Sequence, residues 1–129
     1  MTMSPAEVVR AAIERFTAGD DAGFVESFAP DAVIWTEPQL SQAPVLSGRE
    51  QIAAWCREAR ERWSTVKFAH GDLFDEGAGA YVELDVITDA ENAGGAWRLP
   101  IAVFVHDGLV VEVLPQPDRE TAIAVLGSR

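Results

Sequence analysis

Residues 106–126 read HDGLVVEVLPQPDRETAIAVL. The HDG at its start is a tight hairpin turn, 109–115 is a strand-like run, and Asp118 stands where it caps a short helix over 118–126. A hairpin turn needs a strand in front of it, and 96–106 (AWRLPIAVFVH) supplies one. Further upstream, 65–75 and 79–89 have the same strand character, and the turn signals DEGAG (75–79) and DAENAGG (89–95) separate the runs. The C-terminal half is therefore predicted to be an antiparallel meander of four strands with a helix after it.

The N-terminal half reads differently. In 4–18, SPAEVVRAAIERFTA, Ser4 and Glu7 form a capping box with Pro5 at the first helical position, and Val8, Val9, Ala12, Ile13 and Phe16 make one apolar stripe. Gly19 ends this helix. A short second helix is expected over Asp21–Phe28, with Pro30 stopping it, followed by a strand over 32–37 and a loop over 38–46. SGRE (47–50) offers a second capping box, Ser47 to Glu50. It opens a helix to about Trp63 whose stripe is Ile52, Trp55, Cys56, Ala59 and Trp63. Helices first and a meander second describe an α+β domain over 1–129, a curved antiparallel or mixed sheet packed on three N-terminal helices. A sheet so curved closes toward a cone with a central pocket.

The net charge of −11, from 21 acids and 10 bases, argues against nucleic acid or an anionic membrane as partner, since both reward clustered Lys and Arg. Cys56 is the single cysteine, so the chain has no internal disulfide and no cysteine metal cluster. His70 and His106 lack metal-ligand spacing. No metal is expected. MTMSPAEVVR reads as neither a signal nor a transit peptide, and no apolar run reaches membrane-helix length, so the expectation is a cytoplasmic protein.

Within 32–40, AVIWTEPQL, Trp35 and Glu37 lie two apart and share a face if the strand continues. An acid beside a tryptophan on a core-facing strand is either a strand-end glutamate in water or a carboxylate in an apolar pocket. In the second case desolvation favours its neutral form and tunes it for proton transfer.

The element order resembles the nuclear-transport-factor-2-like superfamily. FAPDAVIWTEP (28–38) with LSGREQIAAW (46–55) resembles ketosteroid isomerases and SnoaL-like polyketide cyclases, and HDGLVVEVLPQPDRETAIAVL resembles the SnoaL-like C-terminal signature. The resemblance implies a pocket for a hydrophobic, oxygenated small molecule such as a polyketide or terpenoid, with no cofactor. It places Glu37 where isomerases carry a proton-shuttling aspartate. It also implies an oxyanion-binding tyrosine where this chain has Phe16, Ile13 or Ala12, and a neutral aspartate where it has Ala102. Without those donors an enolate goes unstabilised, which disfavours steroid isomerisation.

The same resemblance implies a register in which Arg98, Pro100, Ala102, Phe104 and His106 face the pocket. Leu99, Ile101, Val103 and Val105 then form an outer aliphatic patch, which a homodimer would bury. On these grounds the candidate catalytic residue is Glu37. Trp35, Trp55, Cys56, Val82, Leu84, Arg98, Ala102 and Phe104 are the candidate substrate-binding residues. Asp72 is a possible second acid, whereas Glu83 and Asp85 read as a solvated face. Three functions remain open: isomerisation or cyclisation with Glu37 as proton shuttle, binding without chemistry, and epoxide opening with Glu37 and Arg98 around a water.

Overall fold

The computed structural model describes residues 3–38, 40–89 and 96–129. Its elements are α1 (Pro5–Thr17), α2 (Asp21–Glu26), β1 (Phe28–Trp35), β2 (Val45–Ser47), α3 (Gly48–Arg62), β3 (Val66–Glu76), β4 (Gly79–Thr88), β5 (Ala96–His106), β6 (Leu109–Pro115) and α4 (Arg119–Gly127). The strands form one curved, open, mixed sheet in the order β2-β1-β6-β5-β4-β3, with β1 and β6 parallel and every other pair antiparallel.

Local chemistry builds most of these ends as expected. Ser4 Oγ accepts from Glu7 N while Glu7 Oε1 accepts from Ser4 N, which closes the capping box of α1. Asp118 Oδ1 accepts from Thr121 N at 2.8 Å and starts α4. Asp107 and Gly108, at φ 52° and 76°, are both left-handed, as a two-residue hairpin turn requires.

Four expectations need correction. Pro30 does not stop α2; it lies inside β1, in the irregular stretch between Phe28 and Val33 where the pairing with β6 shifts register and a missing N–H is tolerated. Residues 45–47 are not loop but β2, paired antiparallel with Val33–Trp35. Ser47 makes no side-chain cap on α3, because it closes β2 and Gly48, at φ 84°, turns the chain between strand and helix. The Ser47 amide donates instead to Gln51 Oε1 at 2.8 Å. β1 also ends at Trp35, two residues short of Glu37. The turn expected at 89–95 falls, from residue 90 on, outside the described residues.

The largest correction concerns register. β4 and β5 pair Val82 with Ile101 and Leu84 with Leu99 on one face, and Tyr81 with Ala102, Glu83 with Pro100 and Asp85 with Arg98 on the other. The aliphatic set packs inward in the core that α1, α2 and α3 share with the sheet, where Leu99, Ile101 and Val103 are 8%, 4% and 5% exposed. Ala102 and Phe104 point the opposite way, into a second small core with Tyr81, Ala122 and Leu126 under α4. The observed pairing therefore overturns the implied register, and one residue of slip is enough to exchange the faces. The aliphatic set expected on the outer face is turned toward the core, with Val105 half-buried against it, so it does not form the outer patch on which the dimer expectation rested. Among the described residues no helix is long and apolar enough to cross a membrane.

Candidate functional site

Between the helices and the inner sheet face lies a cavity of about 120 Å³. Ala12 and Ile13 of α1, Trp55 of α3, and Val82, Leu84, Leu99, Ile101 and Val103 of the sheet line it. Trp35, Thr36 and Leu40 contribute where β1 runs out. The other lining side chains are likewise apolar, and the few polar groups among the lining residues are engaged. Thr36 Oγ1 donates to the Ala43 carbonyl, Trp55 Nε1 to the Leu40 carbonyl at 2.8 Å, and Trp35 Nε1 to Glu112 Oε2 at 3.1 Å. A water inside would find few of the two to four partners it needs, and an apolar cavity of about 150 Å³ is known to stay dry and accept benzene. The space suits one apolar ring or a short chain.

The expected binding residues divide between two faces. Trp35, Trp55, Val82 and Leu84 line the cavity, with Trp35 45% exposed where β1 ends. Cys56 is buried outside the lining, and burial, reinforced by the charge of Asp21, pushes its thiol up to about 12. At neutral pH it is a protonated, packed thiol. Ala102 and Phe104 sit under α4, and Arg98 is on that same outer face. Sequence reasoning missed Leu99, Ile101 and Val103, because the alternate residues Ala102 and Phe104 are apolar too and alternation alone does not separate the two faces. Ala12 and Ile13 entered as part of a core stripe and as positions of an implied tyrosine, not as binding residues.

Glu37 lies just past β1, between the lining residues Thr36 and Leu40. Its carbonyl accepts from Leu40 N at 2.8 Å and Ser41 N at 3.1 Å, forming a tight turn. Its half-buried side chain is not in the cavity wall, and its carboxylate has no hydrogen bond or ion pair among the described residues.

The remaining charged candidates gather on the outer face. Arg98 grips Asp85 through Nε–Oδ1 at 2.7 Å and Nη2–Oδ2 at 3.0 Å. Arg119 joins Asp72 to Glu83, and Tyr81 Oη donates to Glu83 Oε2 at 3.0 Å. Glu83 and Asp85 are not simply a solvated face; each is fastened to an arginine. Arg119 holds the Glu83 carboxyl below the usual carboxylate range, and Arg98 does the same for Asp85.

Burial pushes the Tyr81 phenol above its ordinary value of 10.0. A raised folded pKa contributes stability that is present below the unfolded value and lost as pH climbs through the folded one. Wild type should therefore lose stability through Tyr81 above about pH 10, and through the Cys56 thiol, raised to about 12, already above about pH 9. In a Cys56→Ala background, which removes the thiol's part, Tyr81→Phe should flatten the remaining alkaline limb in thermal melts from pH 8 to 11, at about 1.5 kcal/mol lower stability at pH 7 from the lost bond to Glu83. A double variant with the alkaline slope of Cys56→Ala would assign the effect to another group.

The SnoaL-like domain family matches residues 9–113, most of the chain. The chain belongs to the SnoaL-like domain family. Solved structures with the same fold include a candidate polyketide cyclase from Sinorhizobium meliloti (22% identity, TM-score 0.71, covering 84% of this chain and 93% of that one). Another is IdmH, a candidate polyketide cyclase from Streptomyces antibioticus (22%, TM-score 0.69, 97% and 99%). A third is a computationally designed 17-OHP binder (15%, TM-score 0.71, 92% and 97%). At these identities the likeness establishes the SnoaL-like fold and no reaction. No curated protein matches the sequence.

Proposed function

We propose that this SnoaL-like protein holds a small hydrophobic molecule in the cavity, and that any chemistry on it is confined to the rim. The observation carrying this reading is the wall itself, which among the described residues presents no unengaged polar side chain toward the guest. Burying apolar ligand surface against such a wall is favourable, and nothing inside it can move a proton. Two of the similar structures are candidate polyketide cyclases and one is a designed binder, which supports small-molecule binding in kind.

A specific observation favours a catalytic second reading. Glu37 is half-buried at the rim without a partner among the described residues, next to two residues of the lining. A carboxylate so placed is free to exchange a proton with an oxygenated ligand that reaches out of the cavity. Epoxide opening receives no such support, because Arg98, the partner invoked for Glu37, is on the opposite face and bound to Asp85. The positions implied for oxyanion donors remain apolar in the observed register: Phe16 is fully buried, and Ile101 and Val103 stand in the wall beside outward-facing Ala102.

Toluene, a single apolar ring, tests the binding reading by calorimetry. Wild type should take up about one equivalent, and Ile13→Trp, which fills the cavity, should weaken binding by about tenfold or more. A wild-type protein that takes up none would end the proposal. Native mass spectrometry of freshly purified protein should also reveal a retained hydrophobe. If Glu37 is catalytic, Glu37→Gln abolishes conversion of that compound while leaving toluene uptake unchanged. Unchanged conversion leaves binding alone.

A further inference from the structure

A second depression lies on the other side of the cavity wall. It is a groove of about 910 Å³ between Pro38 and residues 40–46 on one side and the outer flank of α3 on the other. Leu40, Leu46 and Trp55 line both spaces. The two spaces therefore adjoin at these three side chains, two of whose residues are tied together by the Trp55 Nε1 bond to the Leu40 carbonyl. The backbone on one side of that junction is the turn in which the Glu37 carbonyl receives the Leu40 and Ser41 amides.

The sizes of the two spaces differ in a way that matters. The cavity admits about one ring, whereas small-molecule sites occupy roughly 300–1,000 Å³. The groove falls within that range. Its surface is also different in kind: Pro38, Val45, Ala54 and Trp63 supply apolar area, interspersed with Ser41, Gln42, Gln51, Glu58 and Arg62. The Gln51 carbonyl oxygen is taken by the Ser47 amide, leaving its NH2 as a donor. Glu58 and Arg62 put opposite charges one helical turn apart, so the groove selects neither sign strongly.

We propose that cavity and groove are two halves of one site, with Leu40 and Trp55 as the partition that yields when a long ligand binds. The occupant is an elongated, uncharged amphiphile with a single-ring or short-chain apolar end in the cavity and an oxygenated tail along α3. This rests on the cavity being a binding site, and it brings the tail past the turn that carries Glu37. A ligand of this shape reconciles an apolar cavity too small for a drug-sized molecule with an acid outside it that has no partner among the described residues.

Toluene and 8-phenyl-1-octanol, titrated into the whole protein, separate the two halves. The longer alcohol adds methylenes and a hydroxyl that only the groove can receive, and it should bind wild type at least about tenfold tighter than toluene. Ala54→Trp, which obstructs the groove at a residue absent from the cavity lining, should bring the alcohol to within about twofold of toluene while leaving toluene unaffected. Glu58→Trp, at an exposed groove position, should do the same and guards against a folding defect at Ala54. If the alcohol gains nothing over toluene, or keeps its gain in both variants, the groove is not part of the site and the cavity reading stands alone. If toluene itself does not bind wild type, the cavity reading is what has failed, and the extension falls with it.

Discussion

Phe16→Ala is expected to lower the free energy of unfolding by about 3–5 kcal/mol, the range for truncating a fully buried phenylalanine. Phe16 is 0% exposed and stands at the centre of an aromatic group. Its ring stacks on Phe68 at 4.0 Å between centroids and 15° between planes, and it meets Phe24 at 5.1 Å and Trp55 at 5.7 Å. The Arg60 guanidinium lies 4.3 Å over it while Arg60 Nη2 donates to the Phe16 carbonyl at 2.7 Å. The lost term is therefore more than transfer of one ring, since each aromatic contact adds about 0.5–1.5 kcal/mol beyond area.

Function should suffer with stability, because Phe24, Trp55 and Phe68 line the cavity and Phe16 braces all three. With Phe16 gone the wall can relax into the space, and toluene affinity should drop together with the midpoint of urea unfolding. A measured loss below about 1 kcal/mol would mean the ring is not the brace described. Phe16→Leu retains most of the volume and should recover part of both losses.

What could be read from sequence was the local part of this architecture. Ser4 with Glu7, Asp107 with Gly108, and Asp118 each satisfy backbone groups within four residues, so their consequences are written in a short stretch. β2 escaped because three residues carry little periodicity and exist as a strand only by pairing with Val33–Trp35. Glu37 was placed by extending strand alternation past Trp35. The chain turns there instead, held by Thr36 N donating to the Pro44 carbonyl and by the Leu40 and Ser41 amides on Glu37.

The facing of β5 was harder to read. Between Ile101 and Phe104 both parities are apolar, and both are buried. The inner one is covered by α1 to α3, and the outer one by a helix that begins fifteen residues after Phe104, at Arg119. A cavity is less legible still, since Ala12 and Ile13 have the same chemistry whether they fill a core or bound an empty space.

The observed register makes position 102 a severe test, with Ala102→Asp expected to destabilise the protein by about 4 kcal/mol or more at pH 7. Ala102 is 0% exposed, paired with Tyr81 on one side and Leu114 on the other, and packed with Phe104, Ala122 and Leu126. The polar atom of Tyr81 is already committed to Glu83. A carboxylate there would be unpaired, and it would be held protonated rather than ionised. Keeping an acid of ordinary pKa about 3.9 neutral at pH 7 costs roughly 1.4 kcal/mol for each of about three pH units. Its folded pKa would be raised, so the variant's deficit relative to wild type should be smallest below pH 4 and grow as pH rises. Comparing the two proteins at each pH cancels the acid-side losses that both share through Glu83, Asp85 and Glu112, whose depressed carboxyls lose their contribution as pH falls. Urea unfolding at pH 4 and pH 7.5 measures the growth, and hydrogen exchange should show α4 released first, because its Ala122 and Leu126 are the side chains displaced. Were residue 102 to face the cavity mouth, where water can reach it, the aspartate would ionise and the variant would lose less than about 1 kcal/mol at pH 7.5. That result would reverse the assignment of inner and outer faces on which the cavity wall depends.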